Sequence, residues 1–176
     1  MHSSLPVLGL AASSGTGKTT LLEQVIPLLT RRGLRVALVK HAHHETSVDQ
    51  PGKDSYRLRA AGAATVVLAT ATQRIVLHSR PQAMEPDLAS ELAAIDPAKH
   101  DIVLVEGFKQ SAFPKLELHR SGLDQALRFE HDPHIIAIAT DDPASLPPTR
   151  HLPVLDINDP AQIAGFMADF FQVQRP

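Results

Sequence analysis

The 176-residue sequence predicts an α/β fold: one domain built on a mostly parallel, doubly wound sheet with additional antiparallel strands. Three observations predict it. Short continuous apolar runs such as "PVLGLAA", "LRVALVKH", "DIVLVEG" and "HIIAIATDD" suit strands buried on both faces. Segments with helical period alternate with several of these runs, as a parallel sheet covered by helices requires. A small-residue turn, "SSGTG", joins the first apolar run to the first helical segment.

Each element follows from its local pattern. After "PVLGLAA" the period changes at Lys18, and Leu22, Val25, Ile26 and Leu29 fall on one helical face. Pro27 lies inside that helix and should bend it, and "RRG" supplies cations and a glycine stop. "LRVALVKH" is a second buried strand, followed by the polar loop "AHHETSVDQPGKD". "SYRLRAAG" is a short helix ending at Gly62, with Asp54 or Ser55 as its cap. "ATVVLATA" and "QRIVLHS" are strands joined by a tight turn at Thr72 and Gln73, and "DLASELAAI" is a helix. "DIVLVEGF", "PKLELHR", "HIIAIATDD" and "LPVLDIND" are further strands. In the closing helix, "PAQIAGFMADFF", Ile163, Phe166, Met167 and Phe170 make an apolar stripe.

Composition narrows the function. Hydrophobic residues make up 43% and charged residues 20%, as in an ordinary soluble domain. A formal net charge of -2 gives no basic field for nucleic acid. With no cysteine, disulfides and thiolate metal sites are excluded. The N-terminal apolar run is too short to span a membrane and lacks a basic leader segment, so the expectation is a cytoplasmic protein with no membrane partner.

Strand, glycine turn and helix in that order are the context of a phosphate loop, and "SGTGKTT" carries its chemistry. Ser14, Gly15, Thr16, Gly17, Lys18, Thr19 and Thr20 are the candidate nucleotide-binding residues. Gly15 and Gly17 let successive N–H groups form an anion nest at the positive end of a helix. Lys18 is placed to reach the β- and γ-phosphates, and Thr19 to put its hydroxyl on Mg²⁺. Against the usual G-x-x-x-x-G-K-[ST] pattern, Ala12 stands where the first glycine would be. A P-loop NTPase fold follows.

Glu106 ends the run "DIVLVE" at the carboxyl edge of the sheet, where ligands bind in such folds. It is the candidate catalytic residue, holding Mg²⁺ through water or orienting the attacking water. Asp101 opens the same strand at its far end and is left out of the site. Lys109 follows in the loop, within reach of a phosphate or serving as a surface cation. In the loop after the second strand, His41, His43 and His44 invite a metal reading, but neighbours on an extended chain alternate sides and cannot converge on one ion. Substrate or partner contacts, or a solvated loop, are the remaining readings. Asp49 is a candidate Mg²⁺ ligand of the switch-loop kind.

Together "AASSGTGKTTLL", "VKHAHH", "DQPGKDSYRLRAAGA", "VLVEGFK" and "LDINDP" resemble the MobB family, adaptor proteins of molybdopterin-guanine dinucleotide biosynthesis. The likeness runs from Leu8 to about Pro160. It implies GTP binding with Mg²⁺, weak GTP hydrolysis, and a homodimer. It also implies partnership with the molybdopterin guanylyltransferase (MobA-type) and other molybdenum cofactor proteins, and contact with molybdopterin. The usual N-K-x-D base-reading sequence is absent, and "ATDDP" offers Asp141, or Asp142, as the guanine acceptor. Lys40, His41, His43, His44, Lys53, Arg57 and Lys109 are candidates for pterin or partner contacts. "TVVLATA", "RIVLHS" and "PKLELHR" lie outside the minimal nucleotide-binding alternation, and a two-fold dimer through them is expected. The competing readings are a small-molecule P-loop kinase and a metal-insertion GTPase.

Overall fold

The computed structural model describes residues 5–42, 49–123, 125–148 and 151–174. They fall into two compact units, residues 1–41 with 87–176, and residues 42–86.

The larger unit contains β1 (Val7–Ala11), α1 (Lys18–Arg31), β2 (Val36–Lys40), then α3 (Leu88–Ala93), β5 (Ile102–Glu106), β6 (Lys115–His119), β7 (Ile135–Thr140), β8 (Val154–Asp156) and α4 (Pro160–Gln174). The smaller holds α2 (Asp54–Ala60), β3 (Thr65–Ala69) and β4 (Arg74–His78).

Six strands of the larger unit form one sheet in the order β2-β5-β1-β6-β7-β8, and every pairing in it is parallel. Strand pleating sends alternate residues to opposite faces. Leu8, Leu10, Leu104, Leu116, Leu118, Ala137 and Ala139 meet α1 and α4 in the main core. Ala37, Val39, Val103 and Val105 pack with Leu88 and Leu92 of α3 and with Phe108 and Phe113. A third cluster gathers Ala11, Phe129, Ile135 and Ile138.

The helix α1 buries Leu21, Leu22, Val25 and Leu29, and Pro27 is accommodated inside it. Gly33, at φ +81°, stops it, with the Leu34 N–H donating back to the Leu29 carbonyl. The closing helix differs from the expected stripe. Its buried residues are Ile163, Ala164, Met167, Ala168 and Phe171, while Phe166 and Phe170 are only half-buried. Small side chains at 164 and 168 let the helices approach closely, and Arg32 at the end of α1 donates to the Ala164 carbonyl at 2.8 Å.

The strand β6 also corrects the sequence reading. It is an interior strand between β1 and β7, not a peripheral extension, so it offers no edge for a dimer. Leu116 and Leu118 enter the main core, while Lys115 and Glu117 point to the other face and are themselves buried. Each charge is met locally. Lys115 Nζ lies 2.8 Å from Asp132, and Glu117 accepts backbone N–H groups of Arg128 and Phe129 at 2.6 and 2.8 Å. Burial raises the Glu117 pKa, opposed by those two hydrogen bonds.

The smaller unit is a β3–β4 antiparallel pair with α2. Ile75 and Leu77 share the half-buried side of β4 while Arg74, Val76 and His78 are exposed, as the alternation predicts. The turn centres on Ala71 and Thr72, one residue earlier than expected, because the Thr70 N–H pairs with the Gln73 carbonyl and Thr70 Oγ1 accepts the Gln73 N–H. The cap of α2 is Lys53, without a side-chain bond, since Asp54 already lies in the first turn.

The Lys115–Asp132 pair generates a stability prediction. Partial burial pushes the Asp132 carboxyl up, but the hydrogen bonds from Lys115 and from the His134 N–H outweigh it and hold the pKa below the ordinary value. Removing one partner of a buried pair strands the other charge. Asp132→Ala is expected to cost about 3 kcal/mol at neutral pH. Because the folded pKa is depressed, this contribution exists above the unfolded carboxylate range and fades as pH falls through the folded value. Urea unfolding of both chains between neutral pH and roughly pH 3 checks it, with the difference shrinking toward acid.

Candidate functional site

The carboxyl end of β1 delivers the chain into the phosphate loop. Gly15 and Gly17 have φ of +81° and +91°, and nothing lies within 4 Å of where a Cβ would stand. Glycine is needed there for backbone angle, not for room. Ala12 carries no such demand: among the described non-glycine residues only Phe108 and His151 have positive φ, so the alanine is unstrained. The Ser13 carbonyl organises the loop, accepting from Thr16 Oγ1 at 3.0 Å and from Lys18 Nζ at 2.7 Å. Thr16 is fully buried and also meets the Gln125 amide at 3.2 to 3.3 Å. Ser14, Thr19 and Thr20 are exposed, the two threonines on the first turn of α1.

Burial pushes the Lys18 pKa down; Glu106 opposes that shift and Lys40 adds to it. Glu106 closes β5, in register with Leu10 of β1 and Lys40 of β2. Its side chain is 13% exposed, and Oε2 lies 3.3 Å from Lys40 Nζ. Lys40 thus holds Glu106 from the neighbouring strand. The loop after Glu106 is tightly built. The His41 N–H donates to the Glu106 carbonyl at 2.8 Å, and the His41 ring stacks on Phe108 at 4.9 Å. Gly107 has φ +97° and Phe108 φ +51°.

Asp141 follows the carboxyl end of β7. Its Oδ1 accepts the Ser121 N–H at 2.7 Å and its Oδ2 lies 3.4 Å from Arg120. The Ser121 bond, helped by Arg120, holds its pKa below the ordinary carboxylate value. Arg120 reaches on to Asn158 Oδ1 at 3.3 Å and the Thr16 carbonyl at 3.5 Å. A pocket of about 340 Å³ opens here, lined by Gly17, Thr20, Gln24, Arg120 and Asn158 among others. Arg120 and Gln125 belong to no functional motif legible in the sequence, and Asn158 lies within "LDINDP" with no chemistry assigned to it there. The available signal is position: Arg120 and Asn158 follow the carboxyl ends of strands, as Glu106 terminates one.

Lys109 is half-buried, which lowers its pKa, and Arg128 and Lys18 lower it further. Three of the described candidate residues belong to the smaller unit. Asp49 is buried there, accepting from Ser55 Oγ at 2.8 Å with Arg59 at 3.6 Å. Lys53 caps α2, and Arg57 pairs with Asp54 at 3.6 Å. His43 and His44 lie outside the described residues.

A parallel sheet whose interior strand turns through positive-φ glycines into a helix headed by Lys-Thr, beside an acidic strand end, defines a P-loop protein of the NTPase fold class. The chain belongs to the MobB family, described as molybdopterin guanine dinucleotide synthesis protein B, whose family model matches residues 7–141. It is 43% identical over 171 residues to the molybdopterin-guanine dinucleotide biosynthesis adapter protein of Escherichia coli K12, covering 97% of this chain and 95% of the relative. The Haemophilus influenzae protein of the same description is 40% identical over 170 residues, covering 97% and 92%. The crystal structure of a MobB homolog from Bacillus stearothermophilus superposes with a TM-score of 0.70 at 27% identity, covering 95% of this chain and 98% of that one.

The Glu106 loop can be probed through Gly107, where a Cβ would stand 2.5 Å from His41 Cβ and φ disfavours a side chain. Gly107→Ala is expected to cost about 2 kcal/mol, read as a lower urea midpoint with an unchanged slope.

Proposed function

We propose that the chain is a GTP-binding adapter with weak GTPase activity in molybdopterin guanine dinucleotide biosynthesis, assisting the MobA-type guanylyltransferase. The observation that carries this reading is Lys18, half-buried at the helix head and bonded to the Ser13 carbonyl inside an open glycine loop. A triphosphate would exchange that neutral acceptor for a charged one, which is the stronger bond. Thr19 and Glu106 would hold Mg²⁺, directly and through water; the ion would neutralise charge on the terminal phosphates. The residues fit that group: an exposed hydroxyl at the helix start and a carboxylate at the adjoining strand end are hard oxygen donors. The 340 Å³ pocket beside Gly17 would take the base, with Asn158 and Arg120 facing its polar edge and Asp141 fixing Arg120.

We also propose a homodimer, now through β3 and β4 alone. Among the described residues of the smaller unit, the only buried one is Asp49, and Val67 and Val76 are 49% and 42% exposed. A second copy would supply the missing cover. Lys40, His41 and Lys109 remain the proposed contacts for the pterin or the partner enzyme.

Lys18→Ala is expected to weaken GTP binding roughly ten- to a hundredfold, the range for bonds to charged groups, with little change in unliganded melting temperature. Glu106→Gln should slow hydrolysis more than it weakens binding. Calorimetry with GTP and Mg²⁺, paired with single-turnover phosphate release, separates the two; retained GTP affinity in the lysine variant would overturn the assignment. Light scattering at micromolar concentration should return about twice the chain mass.

A further inference from the structure

The larger unit contains a second pocket, of about 460 Å³, formed by the loop after Glu106 and the connection between β6 and β7. That volume suits a small metabolite. Lys109, Arg128, His131 and His134 bring nitrogen donors to its lining, and Leu127 and Pro133 give it apolar wall. We propose that this pocket binds the phosphate monoester of a small ring compound, a second phosphate site separate from the glycine loop.

Charge carries the assignment. The one acid in the lining is Asp132, and it is committed to the buried Lys115 at 2.8 Å. The buried Glu117 behind the wall has both oxygens engaged by the backbone N–H groups of Arg128 and Phe129. Neither the Lys109 ammonium nor the Arg128 guanidinium forms an ion pair with a described residue. The two cations repel each other enough, with Lys18, to lower the Lys109 pKa further after burial has done so. Glu117 acts on the Arg128 guanidinium only through space, without an ion pair, and Lys109 has no contacting carboxylate among the described residues; half-buried cations so placed are relieved by an anion. A guanidinium and an ammonium suit phosphate oxygens, the first as a planar fork and the second as a point charge.

The site is also built rather than draped. Glu117, on an interior strand, fixes the backbone of Arg128, and the Lys115–Asp132 pair fixes the next turn of the connection. A positively charged pocket held by buried charges of the sheet keeps its shape before any ligand arrives, which lowers the ordering cost of binding. The apolar wall selects an organic monoester over free phosphate.

Phenyl phosphate serves as the probe. It is titrated calorimetrically into the full chain saturated with GTP and Mg²⁺, and into the Lys18→Ala variant without nucleotide. Binding is expected in both, at least tenfold weaker after Arg128→Gln and after Lys109→Gln, with phenol inert and inorganic phosphate weaker. Thermal melts verify that both glutamine variants are folded. Loss of binding in Lys18→Ala, or complete competition by GTP, would assign the phosphate to the glycine loop and overturn the proposal. So would unchanged affinity in both glutamine variants, or equal binding of phenol. The Lys18→Ala arm needs no GTP, so even in a chain that failed to bind GTP, phenyl phosphate binding there would support this pocket and its absence would overturn it.

Discussion

The strand β1 runs between β5 and β6, hydrogen-bonded to both in parallel register. Its backbone is therefore satisfied on both sides and its side chains are buried toward both sheet faces. The chain cannot widen its path where the strand ends. It must turn within a few residues and dock α1 against the same core through Leu21, Leu22, Val25 and Leu29. Gly15 and Gly17 absorb that turn with positive φ, and α1 begins directly after it at Lys18, whose Nζ folds back on the Ser13 carbonyl. Everything assigned to the site depends on this placement. Glu106 arrives beside it because β5 is the neighbour on one side, and Arg120 because β6 is the neighbour on the other.

The same edge accumulates charge that the fold does not cancel in full. Lys40 answers Glu106, and Asp141 answers Arg120. Lys18 rests on a neutral carbonyl, and its pKa is lowered chiefly by burial. Lys109 shares that depression. Ammonium groups kept partly out of water without a contacting carboxylate are a standing cost in the free chain, and the proposed phosphate ligands would remove it. Binding and electrostatic relief would then be one event.

Legibility follows the range of the interaction. The phosphate loop and Glu106 are readable because strand, turn and helix are consecutive in the chain, and because a carboxylate after four apolar residues has to emerge at a strand end. Ala12 departs from the motif yet costs nothing, since its backbone angle is ordinary. The closing helix reads one position off because Phe166 and Phe170 outweigh Ala164 and Ala168 in any apolar pattern, whereas close helix packing favours the alanines. "PKLELHR" reads as peripheral because it lies outside the minimal nucleotide-binding alternation, and its three charges in seven residues resemble a solvated strand. Its partners, Asp132 and the amides of Arg128 and Phe129, stand beyond it and become visible only once β6 is interior. Gln125 meets Thr16 across 109 residues of chain, and no local pattern signals that contact. Asp141 is legible as a residue at a strand end, whereas its contacts with Ser121 and Arg120, 20 and 21 residues back along the chain, carry no local signal.

The central claim is that the turn after β1 holds the phosphates of GTP. Amide chemical-shift mapping of the ¹⁵N-labelled chain during titration with GTP and Mg²⁺ tests it at the atoms concerned. The account predicts the largest shifts at the N–H groups of Gly15, Thr16, Gly17, Lys18 and Thr19, with smaller ones at Arg120 and Asn158. Saturable binding that leaves those loop amides unmoved would contradict it.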